Sequence, residues 1–184
     1  MLACVPALAD MRPRLVPARD VTIEYSVQPA GRQAVDVRVE ILAGGQHLRI
    51  TSPDLPTTML VDRNQETAAI LVPFLRAYSD VKIARYDPER TLLAGAAFRR
   101  EGRDHLVGHD CTEWHAHAAQ ADATACVTGD GIILSGSAVL AHKGPVGSVR
   151  ALRVAYGAPP PALFAVPKGF RESPIRLDGM DDGR

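Results

Sequence analysis

This sequence has no charge to spare: 21 basic and 21 acidic side chains in 184 residues give a formal net charge of zero. Without a basic surplus there is nothing to neutralise a run of phosphates, so a nucleic-acid partner is not expected. Aromatic residues make up only 5% of the chain, too few for a base-stacking platform. No stretch approaches the roughly 20 consecutive apolar residues of a membrane-spanning helix. Catalytic signatures are missing too. There is no G-x-x-x-x-G-K-[ST] and no H-E-x-x-H, and Ser135-Gly136-Ser137 lacks the flanking pattern of a nucleophile elbow. Asp104, Asp110 and Asp130 lie in turn-like contexts and read as turn formers or solvated charges rather than an acid/base pair. No catalytic residue, cofactor or enzymatic activity is expected.

What the chain does have is alternation. Val21–Val27 (V-T-I-E-Y-S-V) and Val35–Ile41 (V-D-V-R-V-E-I) alternate apolar and polar side chains, the pattern of half-buried strands. Further strands are expected at 47–51, 58–61, 67–72, 77–83, 97–100, 138–141 and 149–156, with turns at Pro29-Ala30-Gly31, Gly44-Gly45, Gly102–Asp104 and Gly144-Pro145. The best helix candidate is Asp87–Gly95, where Asp87 caps, Pro88 occupies the first turn and Gly95 ends it; Leu92 and Leu93 would pack on the sheet. Ala162–Val166 suggests one more helical turn. The total is nine to eleven short strands, little helix and hairpin-length connections. The predicted fold class is mainly β, an antiparallel sheet with one apolar face that closes into a barrel, doubles into a sandwich or curls round a small plug.

The densest stretch runs from Gly108 to Ile133 and holds the single Trp, three of the six His and two of the three Cys. It reads as a hairpin turning at Gln120–Ala123 and stapled by Cys111 and Cys126. The register that opposes the two cysteines also opposes Glu113 to Thr124 and His109 to Thr128. Two reduced, buried thiols are the alternative in a reducing compartment. His109, Cys111, Glu113, His115 and His117 share one strand parity, which raises a metal site as a weaker alternative. On a regular strand His109 to His117 spans about 27 Å, so only neighbours such as His115 and His117 could share an ion. Trp114 falls on the opposite face, as a core or rim aromatic.

The first residues, Met1–Ala9, are apolar and end in Ala7-Leu8-Ala9, a small-x-small pattern like the end of a secretory signal. A basic n-region is missing, so an ordinary N-terminus is the alternative. Cys4 falls inside this segment, and its removal leaves an even pair of cysteines, as an oxidising compartment favours. Residues 10–20, with two Pro and three Arg, read as an extended lead-in; 21–172 as one β-rich domain; 173–184 as a disordered tail.

Three motifs carry a family resemblance: G-x-x-C-x-x-W (Gly108, Cys111, Trp114), C-V-T-x-D-G (Cys126–Gly131) and A-L-F-x-V-P-x-G-F (Ala162–Phe170), with V-D-R at Val61–Arg63. The chain resembles an uncharacterised bacterial envelope family, a domain of unknown function similar in fold to the outer-membrane lipoprotein carrier and sorting proteins (LolA-like). That resemblance implies an open half-barrel with one or two short helices against its concave apolar face, in an exported, periplasmic protein. It also implies a non-enzymatic carrier for a lipid or the acyl chain of a lipoprotein. The inward face expected to hold such a ligand is Val21, Ile23, Tyr25, Val35, Val37, Val39 and Ile41, with Leu92 and Leu93. The competing expectation is an envelope scaffold whose core is filled. A monomer is expected.

Overall fold

The computed structural model describes residues 12–42, 44–83, 93 and 95–173. The signal-like segment with Cys4, Leu92, the helix candidate as far as its last turn, and the tail from residue 174 lie outside the described residues.

The alternating segments form two antiparallel meanders. The first is β1 (Val21–Pro29), β2 (Val35–Ile41), β3 (His47–Ser52), β4 (Leu55–Asp62), β5 (Thr67–Val72) and β6 (Ala77–Lys82). The second is β7 (Ala97–Leu106), β8 (His109–Ala118), β9 (Ala121–Val127), β10 (Ile133–Leu140) and β11 (Gly144–Tyr156). Pairing of β1 with β11 joins them into one sheet, in the order β12-β6-β5-β4-β3-β2-β1-β11-β10-β9-β8-β7, where β12 is Arg171–Glu172. One-turn 3-10 segments at Pro73–Leu75 and Pro161–Phe164 are the helical elements among the described residues.

The sheet does not close, because β7 and β12 stay at opposite edges. It is an open half-barrel, and the connectivity favours its curvature. The chain leaves β6 beside one edge and re-enters at β7, the other edge. A flat sheet would put those strands about 48 Å apart. The link from Lys82 to Ala97 would need almost its full extended reach of about 50 Å to span that gap. Bending brings the edges within reach of a slack connection.

Several expectations are corrected. Twelve strands form among the described residues rather than nine to eleven, and one pairing is parallel: β12 runs alongside β6. Gly102–Asp104 is no turn. β7 continues through it to Leu106, with a bulge between Arg100 and Gly102, and the chain reverses at Val107-Gly108, both with positive φ (48° and 78°). The bulge absorbs the glycine that looked like punctuation. Ile133 begins β10 rather than ending β9, and β11 starts at Gly144 and takes in the expected Gly144-Pro145 turn.

The stapled hairpin forms, in a different register. Its reversal is Ala119-Gln120, which pairs Ala118 with Ala121 and places Glu113, not Cys111, opposite Cys126. A shift of two residues keeps every side chain on its predicted face while changing its partner. The disulfide Cys111–Cys126 is therefore made near the end of the ladder, with Cα atoms 5.4 Å apart. It packs into the main core with Val21, Ile23, Ile41, Ile132, Leu134 and Ala151. Tyr25 borders this cluster, its hydroxyl donating to the Ile133 carbonyl at 2.9 Å; burial pushes its pKa well above the usual phenol range.

Candidate functional site

Small side chains create the cavity. On one face of the second meander the ladder opposes Ala116 to Ala123, Ala118 to Ala121 and Trp114 to Ala125; β10 adds Gly136 beside Ala125 and Ala138 beside Ala123. Methyl groups and a bare glycine across three adjacent strands cannot fill the hollow of a bent sheet. A cavity of about 580 Å³ remains above them, within the roughly 300–1,000 Å³ of ligand pockets. Trp114 and Phe98 wall it on one side, Val27 and Val149 on the other, and Leu93 reaches it from the link between the meanders.

Its cover is the lead-in. Residues 12–20 form no strand or helix, but backbone hydrogen bonds pin their C-terminal half. Pro17 O accepts from Gly44 N at 3.1 Å, Ala18 N donates to Asp130 O at 2.8 Å, and Asp20 O accepts from Gly157 N at 3.2 Å. Pro13 and Leu15 thereby join the cavity lining. Two glycines make room for this strap. A Cβ on Gly131, where φ is +95°, would meet the carbonyl oxygen of Val16, and one on Gly45, where φ is +63°, would meet the Val16 side chain.

Asp130 fastens the strap. Its carboxylate accepts from Arg19 Nη2 at 2.8 Å and Nε at 3.1 Å, from Tyr156 Oη at 2.8 Å and from Thr128 Oγ1 at 2.6 Å. The Arg19 guanidinium also lies 3.8 Å from the Tyr156 ring centroid. Partial burial pushes the Asp130 carboxyl up, but the Thr128, Arg19 and Tyr156 hydrogen bonds and the Arg19 charge outweigh it and bring its pKa down to about 2. A carboxylate with a depressed folded-state pKa stabilises the fold above its unfolded value, and that contribution is lost as pH falls through about 2. Arg19 is largely exposed, so after screening the effect is about 1 kcal/mol. Urea midpoints should therefore separate wild type from Asp130→Asn at pH 5 and converge towards pH 2; a gap independent of pH would deny Asp130 this role.

The sequence-expected ligand face is only partly here. Val21, Ile23 and Ile41 are sealed in the main core, at 0%, 1% and 7% exposure. Tyr25 and Val39 pack against that core, and Val35 and Val37 sit half-buried farther along β2. Among the described residues of the expected set, Leu93 alone lines the cavity. The signal for the rest was present. W-x-A-x-A in β8 and A-x-A-x-A in β9 alternate as regularly as the valines of β1, but a run of alanine does not announce a cavity until the strands are seen to be neighbours on a bent sheet.

The polar face of the hairpin holds no built metal centre. His115 Nε2 and His117 Nδ1 both approach Asp122, at 3.4 and 2.7 Å, and hydrogen bonding to His117 holds the Asp122 carboxyl low. His109 instead stands edge-on to Tyr156. Among the described residues no group of three His, Cys, Asp or Glu is arranged to hold a metal ion. The buried carboxylate of Glu40 is held by Arg38 at 3.1 Å and Arg49 at 2.9 Å, a charge clasp across β2 and β3.

No protein-family model matches the sequence, and no curated protein matches it. Solved structures do match. An uncharacterized conserved protein from Thermus thermophilus aligns over 85% of this chain and 90% of its own, at 10% identity and TM-score 0.60. The Pseudomonas aeruginosa MucA/MucB complex aligns over 79% of this chain at 11% identity and TM-score 0.57, and this chain spans 55% of the length of the chain it matches there. A LolA superfamily protein from Nitrosomonas europaea aligns over 83% and 92% of the two chains, at 6% identity and TM-score 0.42. At these identities the likeness is one of fold: this chain has the half-barrel of the first two, built on a sequence of its own.

Proposed function

We propose that this protein is a non-enzymatic binding module of the bacterial envelope that shelters a hydrophobic chain, of lipid or acyl-protein origin, in its half-barrel. The single observation carrying this reading is the cavity of about 580 Å³ with its almost wholly apolar wall. Its affinity would come from apolar surface removed from water, at roughly 25 cal/mol per Å². The disulfide supports an oxidising, periplasmic setting, and no helix among the described residues is long and apolar enough to cross a membrane.

A second reading, a protein-interaction module, is favoured by the MucB likeness, since MucB was solved in complex with MucA. Native mass spectrometry of the full oxidised chain, with added dodecanol as a neutral long-chain probe, separates them. A co-purifying apolar mass, or saturable uptake of dodecanol, is the expected result. A bare mass with no uptake would overturn the chain-binding reading and leave the interaction module.

A further inference from the structure

Two guanidinium groups lie over aromatic rings that wall the cavity, although neither arginine is itself a lining residue. Arg12, on the strap, lies 5.9 Å from the centroid of Phe98, and Arg100 lies 5.3 Å from that of Trp114. Both rings line the cavity. The ladder explains the placement: Phe98 opposes Ala116 and Arg100 opposes Trp114, so all four share the cavity face, with Phe98 and Arg100 about 7 Å apart along β7.

These arginines differ from Arg19, Arg38, Arg49 and Arg99, which are each engaged by a carboxylate. Among the described residues neither Arg12 nor Arg100 has an ion-pair partner, and no carboxylate lines the cavity. A guanidinium resting on an aromatic face keeps its fork of N–H donors free for a planar anion.

We infer that the ligand is a single-chain amphiphile with an anionic head, a long-chain carboxylate in its simplest form. Its chain lies over the alanine floor and its head sits between Arg12 and Arg100. The inference rests on the chain-binding reading above and names the chemical class of its ligand. It also gives the strap a second task, because Arg12 reaches the head only while the lead-in is docked.

The test is displacement of the neutral fluorophore N-phenyl-1-naphthylamine from the full oxidised chain by dodecanoate, dodecanol and dodecyltrimethylammonium, each below its micelle concentration. Dodecanoate should bind about tenfold tighter than dodecanol, and the cation weakest, with the gap narrowing as salt is raised. Arg100→Gln and Arg12→Gln should each weaken dodecanoate about fivefold and leave dodecanol within about twofold, while Arg100→Lys keeps part of the preference. Equal affinity for dodecanoate and dodecanol in the wild type would overturn the anionic head and leave the apolar cavity standing. So would variants that weaken both probes alike, since the arginines would then act only by packing on the rings. Failure of the fluorophore and all three amphiphiles to bind would instead remove the chain-binding reading itself.

Discussion

Replacing Cys111 and Cys126 together by serine is expected to lower the unfolding free energy by about 3–5 kcal/mol and the melting temperature by about 6–12 °C or more. The bridge closes a sequence separation of 15 residues, worth about 3 kcal/mol if its main effect is to restrict the unfolded chain. The rest comes from where the sulfurs sit. Both are nearly excluded from solvent and pack with Val21, Ile23 and Leu134, the last two at 1% and 0% exposure. A serine hydroxyl there finds apolar neighbours and costs about 1 kcal/mol or more if unpaired. The pair Cys111→Ala and Cys126→Ala separates the two contributions, since it removes the bridge without burying hydroxyls. Urea unfolding of the wild type with and without reductant gives the same bridge contribution independently; superimposable curves would show the staple to be dispensable.

Filling the cavity should have the largest effect on binding. Ala125 faces Trp114 on one neighbouring strand and Gly136 on the other, so in Ala125→Phe the ring projects into the hollow rather than into packed core. If the ring displaces about 100 Å² of ligand contact, the loss is about 2.5 kcal/mol, roughly seventyfold in affinity for dodecanol or dodecanoate. Stability should change little, because the ring occupies space that no described residue fills. Titration of the neutral fluorophore together with a urea melt of the variant reads both quantities. Undiminished binding would place the ligand somewhere other than this cavity.

How much of this was legible beforehand depended on the range of the interaction. The strands of the first meander were read closely because Val21–Val27 and Val35–Ile41 alternate without interruption, and alternation is a property of neighbouring residues. The face of the hairpin was legible for the same reason. Its register was not, because a slip of two residues leaves every face unchanged, and the reversal at Ala119-Gln120 carries no glycine or proline to mark it. The turn misplaced at Gly102–Asp104 failed on an ambiguity of glycine, which marks turns and bulges alike. The strap was invisible as a structural part. Pro13, Arg14 and Pro17 look like linker, and what makes residues 12–20 a lid is a set of backbone bonds to Gly44, Asp130 and Gly157, each far away in sequence.

Side-chain period and local turn chemistry called for a mainly β, largely antiparallel chain, set the side of the sheet for the hairpin residues, and brought the two late cysteines within bridging reach of one another. That β11 docks on β1, that the resulting sheet stays open, and that the alanines of β8 and β9 face a hollow beneath the docked strap emerged from the folded molecule. Those outcomes depend on which distant segments become neighbours. A bent sheet turns a row of small side chains into empty volume, which neither strand records alone.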